Sequence, residues 1–466
     1  MSNELSLKSL PSDEAKSVSN SLGHWLVLCI GMLLGVCILG LMHNVDSLGT
    51  DEVDSVEAGA GIESEEDFEA NVNAAPIQKK MGFIGLAVIG IYCFLTAPKG
   101  VKVGSPSVIL ACSAFLFWVS ASTFWSADRT QTVRELIRIV VYVFSAVSIA
   151  MRFPARDVLK IMIICMTVSI LTVYIGEIAV GTFRPWASDF RMHGTIHSSA
   201  LAHHALVMAL GAAALSIDSP KKLSWQLLLA FALITIIFSK TRGGFAATLI
   251  GLIVIQSLRF KPQTNLLIAV TFILIISTVI VVSGLGGPQM WKRLGNTIAL
   301  GRSEGVSTLT GRLPLWEVVW NDSHGVRIFG AGYGAFWTTK RTYSLSGFLE
   351  WYPRHSHNAY LETIVDLGLV GLMLLISIIA TSLVVAIRSY LTTQNVVYAF
   401  VAGFVAAGII DGFVEVIFVS IRELGLFIGL AICLLMFRHP VDFPETALNQ
   451  KPVRRFAKYR APSADY

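Results

Sequence analysis

Charge is what this chain has least of. Lys, Arg, Asp and Glu make up 14% of its 466 residues, against roughly a quarter in soluble domains, which argues against an ordinary water-soluble enzyme or a nucleic-acid-binding module. Cysteine is scarce as well: Cys29, Cys37, Cys93, Cys112, Cys165 and Cys433 all fall inside or at the edges of apolar stretches. A thiol there serves as a small hydrophobe, so the count says little about disulfides or metals. Complete metal-ligand sets are also missing. His203 and His204 are neighbours and cannot share a helix face, and neither they nor His193 with His197 have a Cys or carboxylate to complete a set. No metal and no cofactor is expected.

What the chain does have is apolar length. Hydrophobic residues reach 54% and mean hydropathy is +0.65. Runs long enough to cross a bilayer, about 17–25 residues each, fall near 25–42, 81–98, 106–125, 137–153, 158–180, 197–216, 224–239, 243–258, 264–285, 365–387, 396–412 and 424–437. The expected fold is therefore an all-α polytopic membrane protein of about twelve helices. The first run is too long and too far from the start for an ordinary signal peptide, and is expected to remain as a helix.

With the N-terminus inside, the short inner loops carry Lys99, Lys102, Arg152, Arg156, Lys160, Lys221, Lys222, Arg259, Lys261 and Arg388. An even helix count returns the C-terminus to that side, as the positive-inside rule requires. The chain then divides into a cytoplasmic tail at 1–24, a membrane domain at 25–437 and a basic cytoplasmic tail at 438–466. An acidic outer loop at 44–80 reads as solvated and disordered, and no chemistry is ascribed to it.

Three outer stretches are basic where that rule expects few cations. Arg184 and Arg191 lie between the fifth and sixth runs. Ser239-Lys240-Thr241-Arg242-Gly243-Gly244 is so tight a turn that Arg242 must sit at a helix mouth. The long loop 286–358, before the tenth helix, holds eight basic residues against four acidic ones, with many aromatics. That balance suits an anionic or sugar-bearing ligand. The plain alternatives are an interfacial anchor for Arg242 and simple packing of Trp316 and Phe336 onto the bundle.

The loop ends in Arg354-His355-Ser356-His357-Asn358-Ala359-Tyr360-Leu361-Glu362. Ser356 or Asn358 can cap the helix that follows, which sets His357 where backbone N–H groups favour an anion. His357-Asn358, nine residues and Gly368-Leu369-Val370-Gly371 resembles the His-Asn/Ser/Gln, nine residues, Gly-x-x-Gly/Thr/Tyr signature of the O-antigen ligase family, which includes related polysaccharide polymerases and O-oligosaccharyltransferases. Arg191 with Gly194-Thr195 and His197, Thr241-Arg242, Thr310-Gly311-Arg312 and Gly330-Ala331-Gly332-Tyr333 resemble further family positions, as does the weaker Trp125-Ser126-Ala127-Asp128 stretch. Ser198-Ser199 stand where the family commonly has Pro-Asn.

The resemblance implies glycan transfer from an undecaprenyl diphosphate carrier to an acceptor sugar hydroxyl, at the periplasmic face of a bacterial inner membrane. His357 would be the general base and Arg191 and Arg242 the diphosphate ligands. Arg312, Asn358, Tyr333 and His197 would be auxiliary, and the transfer metal-independent and inverting. The acceptor is lipid A core for a ligase, or another carrier-linked repeat for a polymerase. A transporter or flippase is the rival class, but it would place ionisable residues near the bilayer midplane. Glu177, Asp366 and Asp411 instead lie near expected helix ends.

Overall fold

The computed structural model describes residues 23, 25–38, 77–187, 190–192, 194, 196–260, 263–264, 311–349, 353, 355–416 and 425–439. The acidic loop up to residue 76, all but the first residue of the expected helix at 264–285, the first part of the long loop and nearly all of both tails lie outside them, as do His193, Thr195 and Arg354.

Among the described residues the chain is almost entirely helical. The helices are α1 Trp25–Ile38, α2 Ile77–Leu95, α3 Pro106–Ala121, α4 Arg129–Arg152, α5 Ala155–Val180, α6 Ser198–Leu215, α7 Lys222–Ser239, α8 Arg242–Ser257, α9 Arg312–Asp322, α10 Thr339–Leu349, α11 Ala359–Thr393, α12 Val396–Asp411 and α13 Gly425–Met436. Five stretches are long and apolar enough to cross a membrane: Pro106–Phe124, Ala155–Val180, Ser198–Leu215, Lys222–Ser239 and Ala359–Thr393. Shorter apolar helices, α1, α8, α12 and α13, pack among them. The helices fall on the expected runs, but several start earlier. α4 begins at Arg129 because Asp128 accepts a hydrogen bond from Gln131 N at 3.0 Å and caps it. The end of the acidic stretch, Lys79 and Lys80, is already the first turn of α2. The long loop is not all loop, since it carries α9 and α10.

α6 is the hub. It is buried almost throughout and packs against α5, α7, α8 and α12. Glycines make the close approaches: a Cβ on Gly211 would meet Ile163 at 2.8 Å, one on Gly244 would meet Ala202 at 2.8 Å, and one on Gly251 would meet the Gly403 carbonyl at 2.9 Å. Small residues drive helix association in lipid in this way. α1 docks on α5 by the same device, through Gly31 on Ile164 and Gly35 on Val168.

The two ends of the bundle differ. At one end Lys102–Val103 pairs antiparallel with Phe437–Arg438, Arg156 binds Asp218 at 2.6 Å, and Arg152 donates to Thr96. At the other end the starts of α6, α8 and α11 meet the turn after α12. The second end carries the candidate site.

Candidate active site

The start of α11 is tied down from both sides. Asn358, not Ser356, is the cap, its Oδ1 accepting from Tyr360 N and Leu361 N at 3.0 Å each. Ser356 faces inward instead, its N–H donating to Glu362 Oε2 at 2.8 Å and its carbonyl accepting from Trp316 Nε1 at 2.8 Å. Trp337 Nε1 donates to the other Glu362 oxygen at 2.9 Å. Between these anchors His357 has φ +49°. Lys240 and Gln394, the other non-glycine residues with positive φ among the described ones, are C-caps of α7 and α11, where that conformation is common. His357 precedes a helix and has no such reason, and strain of this kind persists only where the surroundings impose it.

His357 Nδ1 lies 3.4 Å from Glu415 Oε2, and Arg312 Nη2 lies 2.6 Å from Glu415 Oε1. Glu415 belongs to the turn after α12, whose Gly412 and Glu415 carbonyls both accept from Ala359 N, the first N–H of α11. Backbone and side chain therefore fix the same two segments together. Burial alone would push the Glu415 carboxyl up. The facing His357 imidazole, with the charges of Arg312 and His203, overcomes it and holds the group down at about 2. Its stabilising contribution is thus complete above the ordinary carboxylate range and is lost as pH falls toward 2. With Nδ1 turned toward that carboxylate, Nε2 is the ring nitrogen that does not face it.

A second layer lies beneath. His203 Nε2 on α6 sits 2.6 Å from Asp411 Oδ2 at the end of α12, both buried, at ion-pair distance but off the direction of a good hydrogen bond. His204 turns the other way, to Ser169 Oγ at 2.8 Å. The N-terminus of α8 closes on this layer, since a Cβ on Gly243 would meet Val414 at 2.7 Å and Asp411 Oδ1 at 3.3 Å. Arg242, half-buried, is the first residue of α8 and thus adjoins the Glu415 turn. Arg191, also half-buried, reaches the C-terminal carbonyl of α7, its Nε 3.4 Å from Ser239 O. His197 caps α6 through Ser199 N and is exposed, and Thr241 Oγ1 donates to the next carbonyl, that of Ser198, at 3.1 Å.

The nine-residue spacing has a structural meaning. Residues 359–367 form a half-helix that ends at Gly368, where φ +72° and ψ −175° break α11. Its exposed carbonyls are taken up from outside: Ala331 N donates to Val365 O at 2.8 Å, Gly332 N to Asp366 O at 3.0 Å and Trp118 Nε1 to Leu367 O at 2.9 Å. The Gly330-Ala331-Gly332 stretch docks on the break, and Ala127 N binds the Ala331 carbonyl at 2.7 Å. Tyr333 follows directly on this stretch. It is buried, its N–H on Ser122 Oγ, with burial and the nearby Glu135, Asp366 and Glu362 carboxylates raising its hydroxyl well above the usual range. Phe336 packs with Leu315, Val319, Leu361 and Val365, and Trp316 lies against the same cluster, as the plain reading expects.

Two shallow grooves meet at Asn358 and Leu361. One, about 340 Å³, runs along α11 over Tyr360, Ile364, Leu372 and Ile376 to Phe413. The other, about 380 Å³, is lined by Trp316, Glu317 and Trp320 of α9.

Sequence reasoning brings together Arg242, Arg312, His357 and Asn358 but misses Glu415. The one available signal is an acidic pair four residues apart, Asp411 and Glu415, at the end of an otherwise uncharged span. Residues 227–376 match the family model described as O-antigen ligase, a segment that holds Arg242, Arg312 and His357 and stops short of Glu415. The chain is also 27% identical over 318 residues, 64% of its length and 70% of the relative's, to the exopolysaccharide production protein ExoQ of Rhizobium meliloti (strain 1021). The chain is a multi-pass helical membrane protein whose residues 227–376 are similar to the O-antigen ligase family and which is similar along much of its length to an exopolysaccharide production protein.

Proposed function

We propose that the protein transfers a glycan from an undecaprenyl diphosphate carrier to a sugar hydroxyl, at the periplasmic face of a bacterial inner membrane. The observation that carries this reading is the strained His357 held between Glu415 and its own capped helix, at the bundle end that also holds Arg191 and Arg242. His357 Nε2 takes the proton of the acceptor hydroxyl. The hydroxyl oxygen bonds to the anomeric carbon as the bond to the diphosphate breaks, inverting the centre. Negative charge grows on the departing diphosphate, and guanidinium forks at helix mouths stabilise it most in the transition state. Arg242 and Arg191 take that task, with no metal required. The apolar groove along α11 lies beside the same helix start, where the carrier's lipid can remain in the bilayer.

The proposed activity is tested with purified protein and carrier-linked glycan, offered lipid A core in one tube and only more donor in the other. Product with core alone marks a ligase. Chain extension with donor alone marks a polymerase, the reading that the exopolysaccharide relative favours. No transfer in either tube removes the proposal. Arg242→Lys keeps the charge but loses the bidentate fork, so turnover should fall at least tenfold, about 1.4 kcal/mol, at unchanged expression. Full transfer by a well-folded Arg242→Lys protein would make Arg242 an interfacial anchor.

A further inference from the structure

We propose that the groove on α9 is the acceptor-sugar subsite, taking a pyranose ring against Trp320 and Trp316 with Glu317 accepting from ring hydroxyls. The inference rests on the transfer reaction above and adds where its second substrate sits. Arg312, Trp316 and Trp320 recur at every fourth position and so share one face of α9. Arg312 on that face binds Glu415, and Trp316 binds the Ser356 carbonyl beside His357. Trp320 stands one turn further out, about 6 Å along the axis, and is 43% exposed.

Its ring is nevertheless fixed. The Arg327 guanidinium lies 3.8 Å from the ring centroid and donates through Nη2 to the Trp320 carbonyl at 2.6 Å. A wet, immobilised indole face with a carboxylate one turn away suits a sugar, which offers C–H bonds on one side and hydroxyls around its edge. Glu317 has no hydrogen-bond or ion-pair partner among the described residues, and it is the charged residue of the groove lining, so the ring is neutral or amino-bearing and not a uronic acid or sugar phosphate. The neighbouring groove is apolar and lies along a membrane-spanning helix, which suits the donor's lipid and leaves the α9 groove to the acceptor.

The test is equilibrium binding of two water-soluble probes to the full-length protein in detergent. One is the oligosaccharide released by mild acid from the source cell's carrier-linked glycan; the other is deacylated lipid A core. Trp320→Ala should weaken the bound probe about tenfold, the factor that 1.4 kcal/mol of lost ring contact gives. Trp320→Phe should retain most of the affinity, and His357→Ala should leave it nearly intact. In the transfer assay Trp320→Ala should raise the acceptor KM with kcat little changed. The probe that responds identifies the acceptor class. If neither probe's affinity nor the acceptor KM responds to Trp320→Ala while Trp320→Phe is folded, the subsite is overturned, even with transfer intact. Binding that responds in a protein without transfer leaves the subsite standing and removes the reaction.

Discussion

His357→Ala should lower glycan transfer at least a hundredfold while leaving donor binding nearly unchanged, because in the proposed reaction His357 is the general base, a role that contributes about a hundredfold to ten-thousandfold in rate, and arginines hold the diphosphate. The measurement is single-turnover transfer alongside donor binding. His355 lacks the signature spacing and on sequence grounds would serve as a mild control. The structure makes it a participant: its Nδ1 accepts from His357 N at 3.2 Å, with the two rings 4.0 Å apart. His355→Ala should therefore cost about tenfold, the loss of one bond holding a strained residue. Equal and small effects of the two substitutions would remove His357 from the mechanism.

Gly368→Ala should be the most damaging single change to the fold. The residue lies at φ +72° and ψ −175°, a region that is essentially glycine's alone. A Cβ there would sit 2.0 Å from the Ile328 carbonyl oxygen, backbone that cannot swing aside. Gly181 supplies the comparison, with φ +80° and nothing within 4 Å of an added Cβ. Gly181→Ala should cost about 1 kcal/mol, for backbone strain alone. Gly368→Ala adds a clash and undocks the Ala331 and Gly332 N–H groups from the half-helix, so folded yield on size-exclusion chromatography should collapse. A Gly368→Ala protein that melts within a few degrees of wild type would show that the break is not required.

The helical frame is legible in the sequence because uninterrupted apolar runs leave a membrane chain few alternatives. The start of α11 is less so. Glu362 interrupts its hydropathy and holds the expected span back to 365, whereas both nearby carboxylates are met by N–H groups, Glu362 by Ser356 and Trp337 and Asp366 by Gly334 and Phe336. Local sequence cannot display partners supplied by a distant loop. Glu415 is hidden for the same reason. It falls between two expected spans, and it acquires meaning only through Arg312, at the start of α9, and His357, just before α11, both well before it in the chain. The cap at Asn358, by contrast, is a short-range device and can be read directly.

That the carboxylate facing His357 comes from the far side of α11 and α12 also dictates an order of assembly. A nascent chain that holds α9 and the histidine loop but not yet the turn after α12 has the proposed base without the carboxylate that faces its Nδ1, and Arg312 without Glu415. Only when α12 has inserted and its turn has come round do all three side chains meet. On the proposed mechanism a chain cut short after α11 would lack Glu415 and should not transfer, however well it inserted.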